Sequence, residues 1–497
     1  MNPHSILLRN ASLPSRPGRH DVALQAGLIA AIRPAQGNAR RTAPGVNAEE
    51  VLDLEGRFVL PGLWDNHVHF TQWVIRQQRL DLTGSGSAAE VLAQVAAALP
   101  AGTAGECLVG FGFRDALWPD NPTRAGLDAV SGSTPVVLVS ADLHCVWVNT
   151  AAVRALGISG ADGGLVREAE CFRTLEKLED PDAVPLEAYL RAAEAAARRG
   201  VVGIVDFENA DNLQLWPERV RHGVDALRVE VSVWPDRLAG AVDLGVKTGD
   251  VLDERGLITM GPLKVIVDGS LNTRTAWCWD PYPGHPAGRE SACGHNTVPM
   301  PELRTLMATA RNAGIGAAIH AIGDRANTEV LDVFQDLDMT GVIEHAQLVR
   351  DTDFPRFREL GLAAGVQPEH AMDDRDVADM FWPGRTGRAF ALASLHRDGA
   401  PLRLGSDAPV APLDPWLALA SAVSRSRDGR EPWHPEQCLP AEVALAASAR
   451  GRSTVQTGEV ADLAIAELDP LSATGEELRT MPVSATLLGG RFTWRDI

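Results

Sequence analysis

Eight short runs recur along this chain, each apolar over most of its length: VLPGLWDNHVHF (59–70), GVVGIVDFEN (200–209), LRVEVSVWP (227–235), LKVIVDG (263–269), GIGAAIHAIG (314–323), GVIEHAQLV (341–349), GLAAGVQPEH (361–370) and LRLGSDAPV (402–410). A strand with one wet face alternates apolar and polar residues. A strand that is apolar throughout is covered on both faces, as in a parallel sheet wrapped by helices. Ala- and Arg-rich stretches of helical character separate the runs, so the order is strand, helix, strand, helix. Eight such strands close into a barrel, and a (β/α)8 TIM barrel keeps its chemistry at the rim where the strands end.

The chain has 497 residues, roughly twice the ~250 of a plain barrel. Two regions account for the excess. SILLRNASL, HDVALQAGLIAAI and VLDLEGRFVLPG at the start, and ADLAIAEL and SATLLGGRFTW at the end, read as short antiparallel strands. They predict a composite β-sandwich domain from residues 1–58 and 453–497, flanking a barrel domain over 59–452. Between Phe70 and Gly200 lie about 130 residues, far beyond an ordinary βα loop. That stretch holds strand-like ECLVGFGF and TPVVLVSAD and helix-like AAEVLAQVAAAL and LEAYLRAAEAAARR. It predicts an inserted α/β subdomain over 84–198, leaving the barrel on its catalytic face. The fold class is therefore α/β.

Lys plus Arg number 46 and Asp plus Glu 65, a formal charge of −19. Such a surface repels nucleic-acid phosphates and anionic lipid, so neither is expected as a partner. No apolar run approaches the ~20 residues of a membrane span. The start, MNPHSILLRNASLPS, lacks the features of a secretory signal. Six scattered cysteines without a C-x-x-C pair read as free thiols, and the expected location is the cytoplasm. The expected partner is a small-molecule substrate, and a homo-oligomer is compatible with the sequence.

Five features point to one site. His67 and His69 stand two apart at the end of the first run, so both imidazoles face the same way. His320 ends GIGAAIH and His345 ends GVIEH. Neutral imidazole is a common ligand for zinc and similar metals. Any one of these histidines is more often a core residue; three strands ending in histidine on one rim are harder to ascribe to chance. Asp407 follows the last apolar strand, where a carboxylate needs a cation or a turn to cap. Lys264 lies within the buried run GPLKVIVDG, where its charge is disfavoured. It can pair with a carboxylate such as Asp407 or Asp268, or react as a neutral amine with carbon dioxide to give a carbamate ligand.

These blocks resemble the amidohydrolase superfamily. VLPGLWDNHVHF is similar to its opening motif. LKVIVDGSLNTRTAW, HAIGDRAN, IEHAQLV, VQPEH and LGSDAPV resemble the amidohydrolase-3 branch that includes N-substituted formamide deformylases. SADLHCVWVN and GEVADLAI extend the likeness over nearly the whole chain. The resemblance implies that His67, His69, His320 and His345 are metal ligands, that Asp407 binds metal and moves the proton, and that Lys264 is a carboxylated bridging lysine. By the same matching His144, Asn149, Arg274, Gln367 and His370 fall in blocks bordering a substrate pocket. Trp118 and Trp147 of the insertion add apolar surface suited to that pocket, or serve as its core. Asn272 stands where a glycine is expected, and Leu143 and Cys145 also depart from the usual block.

The expected enzyme is a metal-dependent hydrolase acting on non-peptide C–N bonds of a small amide, N-formyl or cyclic amide substrate. One or two divalent ions, zinc first among several candidates, would activate water, with Asp407 as general base and then acid. The rival enzyme is a deaminase with one metal, held by His67, His69, His320 and Asp407. There His345 orients water or substrate and Lys264 stays an amine. The other rival is a scaffold of this fold without activity. No G-x-S-x-G supports a serine hydrolase.

Overall fold

A computed structural model describes residues 5–35, 48–77, 79–99, 107–161, 163–178, 184–284 and 290–497. Each of the eight runs contributes one strand to a single parallel sheet: β1 (Leu63–Val68), β2 (Val201–Asp206), β3 (Arg228–Val233), β4 (Ile258–Ile266), β5 (Ala317–Ala321), β6 (Gly341–His345), β7 (Ala363–Val366) and β8 (Leu402–Leu404). They lie in chain order. At the seam, Asp407 N donates to His67 O and His69 N to Ala408 O, both at 2.7 Å. The sheet is thereby nearly closed, with β8 beside β1.

Side-chain parity explains both the packing and the site. On β4, β5 and β6 the residues Val265, Ile319 and Ile343 point outward into the large apolar core, where helical Leu303, Met307, Val330 and Phe334 cover them. Their neighbours Lys264, His320 and Glu344 therefore point inward. Register sets the depth: Lys264 pairs with Ala318, whereas Ile266 pairs with His320 and His320 with Glu344. Lys264 thus lies two residues deeper than the level of His320. A small cluster of Val205, Phe207, Ala318, Val342 and Ala363 packs together among these strands.

The chain ends meet. Phe58–Pro61 runs antiparallel to Leu463–Ala466, with Val59 opposite Ile465. One path of hydrogen-bonded strands then leads from Arg491–Arg495 to Leu28–Pro34. Its core includes Leu8, Val22, Ile29, Val59, Ile465 and Leu487. The expected start MNPH and Glu106 of ECLVGFGF lie outside the described residues.

The stretch after β1 forms its own five-stranded sheet, in the order Leu165–Arg167, Cys145–Val148, Val136–Ser140, Leu108–Phe113, Leu80–Asp81. One expectation is corrected here. The helix Leu186–Ala197, read as part of the insertion, packs Tyr189, Ala192 and Ala193 in one cluster with Ile204 and Trp216. It belongs to the barrel's outer ring. All six cysteines are free thiols. No helix among the described residues is long and apolar enough to cross a membrane.

Candidate active site

The strand ends bring His67, His69, Lys264, His320, His345 and Asp407 to one cavity of about 730 Å³, within the size range of small-molecule sites. Asp407 Oδ1 lies 3.3 Å from His67 Nε2 and 3.4 Å from His69 Nε2. His67, His345 and Asp407 offer ligand atoms within 4.8 Å of one another. The His320 and His345 ring centroids are 4.3 Å apart, and those of His67 and His345 5.0 Å. His345 and Asp407 both adopt positive φ, 72° and 57°. His345 closes β6 and Asp407 follows the end of β8, each in a conformation that L-residues rarely adopt.

His67 is fixed from behind. Its Nδ1 lies 2.7 Å from Glu344 Oε2, so Nδ1–H donates to the carboxylate and the Nε2 lone pair faces the cluster. Lys264 Nζ sits 3.3 Å from that Nε2 and 4.3 Å from the centre of the Phe207 ring. The 1%-exposed lysine is lowered to about 8, by burial first, against the pull of Glu344 and Asp407. Burial, then the charges of Lys264 and neighbouring histidines, hold His67 and His320 well below the ordinary histidine range. For His345 the order is burial, His320, then Lys264. His69 goes the other way: burial opposes its charge, but Asp407 and Glu208 together raise it.

Several buried nitrogens have no hydrogen-bond partner among the described residues: His320 Nε2, His345 Nδ1 and His370 Nε2. Orphaned donors and acceptors at this depth are rare unless something binds there. Neutral imidazoles converging with one carboxylate form a donor set for a divalent cation. The residues present fit such an ion.

The insertion roofs the cavity with Arg114, Asp142, Leu143, His144 and Phe172. His144 Nδ1 lies 2.9 Å from Glu168 Oε2. Burial disfavours the imidazolium, yet Glu168 and Asp142 outweigh it and raise His144 to about 9. Glu168 is held in turn by the hydroxyls of Thr273 (3.1 Å) and Thr275 (2.6 Å). Asn272 and Leu143, two of the three departures from the usual blocks, line the cavity. Cys145 is fully buried in the core of the insertion instead.

Of the residues expected around the substrate, His144 and His370 line the cavity and the others do not. Asn149 caps the helix Thr150–Leu156 and spends its amide on Val136 N, Ala152 N, Ser131 Oγ and Thr134 O. Trp118 donates to Ser85 O and leans, partly buried, on Phe113, and Trp147 is wholly buried, so both belong to the packing of the insertion. Arg274 lies over the Phe381 ring at 5.3 Å. Gln367 Nε2 stands 3.4 Å from His67 Nδ1, behind the histidine and away from the cavity. Asp268 is no partner for Lys264: it accepts the backbone N–H of Trp277, Ile322 and Gly323 and lies 3.5 Å from His320 Nε2.

Sequence reasoning passed over the carboxylates behind the histidines. Glu344 precedes His345 directly, and Asp65 stands two before His67, on the same strand face. Asp65 accepts from Ser406 N at 2.8 Å and His67 N at 3.2 Å. Burial raises both acids to about 7. An acid inside an apolar strand was the available signal.

A barrel whose strand ends gather histidines, an aspartate and a buried lysine beneath a roofed cavity has the build of a metal-dependent hydrolase. The chain belongs to the amidohydrolase family, whose model matches residues 50–494. It is 26% identical over 488 residues to the putative amidohydrolase YtcJ of Bacillus subtilis, covering 90% of each chain. It is 25% identical over 502 residues to an N-substituted formamide deformylase of Arthrobacter pascens, covering 89% of each. It is 28% identical over 416 residues to the protein LONG AFTER FAR-RED 3 of Arabidopsis thaliana, covering 75% of this chain and 70% of that one. The fold is shared with an uncharacterised metal-dependent hydrolase of Pyrococcus horikoshii, with a TM-score of 0.76, 24% identity, and coverage of 95% of this chain and 99% of that one.

Proposed function

We infer that this enzyme hydrolyses a non-peptide C–N bond in a small organic amide, N-formyl compound or cyclic amide. The observation that carries the reading is Asp407 Oδ1 lying 3.3–3.4 Å from two histidine Nε2 atoms, beneath a cavity of small-molecule size. His67, His69, His320, His345 and Asp407 would hold a divalent cation, zinc first among the candidates. When bound, it supplies Lewis acidity that lowers the pKa of water and polarises the substrate carbonyl.

The chain's own groups do the rest. Asp407 takes a proton from the attacking water on its free carboxylate oxygen and returns it to the leaving nitrogen, as base and then acid. Glu344 keeps His67 in the tautomer that presents Nε2. His144 faces the substrate from the roof, and the insertion excludes bulk water from above. Lys264, buried and without an ion pair among the described residues, would carry a carbamate when two ions are bound. The alternative reading is the one-ion deaminase, in which Lys264 stays an amine and His345 orients water or substrate. Release of ammonia as product, with one metal per chain, would favour that reading.

The working division is a composite β-sandwich of 1–58 and 453–497, a barrel over 59–452 and an insertion within 84–198 that leaves its last helix, Leu186–Ala197, to the barrel, in a cytoplasmic protein open to homo-oligomerisation. The activity is tested with metal-loaded enzyme on N-formyl amines, N-acyl amino acids, hydantoins, lactams, carbamates and phosphotriesters. Turnover is expected among the C–N substrates, with stoichiometric release of the amine from the formamides. Turnover confined to phosphotriesters or carboxyl esters would overturn the assignment.

A further inference from the structure

The cavity has a second chemical character away from the histidines. Glu208 lines it at 5% exposure, just past the end of β2. Asp206 registers with Val68, which sets Glu208 beside the strand end carrying His69. Its Oε2 accepts Gln72 N at 3.0 Å, and its Oε1 has only Gln72 Nε2 at 3.5 Å. No Lys, Arg or His of the described residues lies within ion-pair distance of it, and the one imidazole whose charge it feels, His69, would be neutral as a metal ligand. A buried carboxylate so thinly compensated is costly to keep, and a cation from outside would relieve it.

Trp234, at the end of β3, lines the same wall, and its Nε1 donates to Phe207 O at 3.2 Å. The ring is thus anchored to the residue just before Glu208. An aromatic face beside a carboxylate is a setting for an organic cation. Three cations that line the cavity are held by acids: Arg114 by Asp373 and Asp374, Arg237 by Asp236, and His144 by Glu168, whereas Lys264 lies deep in the barrel against His67. The acids Glu176, Asp211 and Glu218 at the mouth have no ion-pair partner among the described residues. Of the lining cations only Lys264, deep among the histidines, lacks an acidic partner among the described residues, so a carboxylate at the outer end of a substrate would meet no free cation.

We propose that Glu208 and Trp234 form an ammonium subsite, so that the preferred substrate carries a cationic amine at the end remote from the scissile C–N bond. This rests on the hydrolytic reading above and adds the substrate's charge to it. Three N-formyl amides of equal chain length, ending in ammonium, methyl or carboxylate, test it by kcat/KM. The ammonium compound is expected to exceed the methyl one by about tenfold, with the carboxylate lowest. In Glu208→Gln the ammonium-to-methyl ratio is expected to fall to near one. Equal rates for the ammonium and methyl compounds in the wild type would overturn the proposal, as would a ratio kept intact in a folded, metal-loaded Glu208→Gln. If that variant does not fold, Trp234→Leu takes its place, with the same fall in ratio expected. If none of the three is hydrolysed, it is the hydrolytic reading that fails. Calorimetric binding of an α,ω-diaminoalkane against the neutral α,ω-diol of equal length to the metal-loaded enzyme then decides. Tighter binding of the diamine upholds the subsite, and equal affinities refute it.

Discussion

Asp407 lies against the Nε2 atoms of two histidines, and in the proposed mechanism it would also move a proton. Asparagine keeps the shape and one oxygen but cannot take the proton. Asp407→Asn is expected to lower kcat by ~10²–10⁴, the range of general acid–base catalysis, with the thermal midpoint little changed. Near-normal turnover would assign the proton to another group. A different residue sets a pH dependence of stability. Against burial, Glu168 and Asp142 raise His144 to about 9, whereas an unfolded histidine titrates near ~6.5. The folded state therefore binds this proton more tightly. Its stabilisation is complete below pH ~6.5 and is lost as pH rises through about 9. Glu168→Gln removes the partner, so the gap in unfolding free energy between wild type and variant is expected to be largest near pH 6 and to narrow by pH 10. A gap that does not change with pH would mean that His144 is neutral throughout. The histidines and Asp407 could be read from the sequence because each ends an apolar run. Glu344, Asp65 and Glu208 were not singled out, because their partners are distant in sequence and single residues do not reveal pairing.

At the scale of elements, the barrel strands carry constraints that the apolar pattern does not display. Gly365 on β7 is one. A Cβ built there would collide with Glu344 Oε2, the atom that holds His67 Nδ1. Gly365→Ala must push that carboxylate aside within a filled interior, and a cost of ~1–3 kcal/mol is expected, as for other overpacked cores. Denaturant unfolding measures it, and a variant as stable as the wild type would show that the carboxylate has room to move. All eight strands were legible because strands covered on both faces leave near-continuous apolar runs. The helix Leu186–Ala197 was assigned to the wrong body for an equally physical reason. Its Ala-rich face shows that it is buried, but an apolar stripe does not name the surface that covers it. Asn149 and Trp118 were drawn toward the substrate by their place in a recognisable block. Their hydrogen bonds, to a helix start and to Ser85 O, are local business of the insertion.

For the whole molecule, the two chain ends, the barrel and the insertion divide the work. The ends pair through Phe58–Pro61 and Leu463–Ala466, the barrel sets out the ligands by strand register, and the insertion closes the cavity from above. The central claim is that the histidine cluster holds a catalytic cation, and it follows from orphaned nitrogens at one end of one barrel. The direct measurement is an anomalous-difference map from crystals of active, metal-loaded enzyme, recorded at the absorption edge of the metal found in solution. A peak is expected about 2.0–2.2 Å from nitrogens of His67, His69, His320 or His345 and from an oxygen of Asp407, with added density on Lys264 Nζ if a second peak accompanies it. A fully active crystal with no peak at this cluster, or with its only metal elsewhere on the molecule, would contradict that claim.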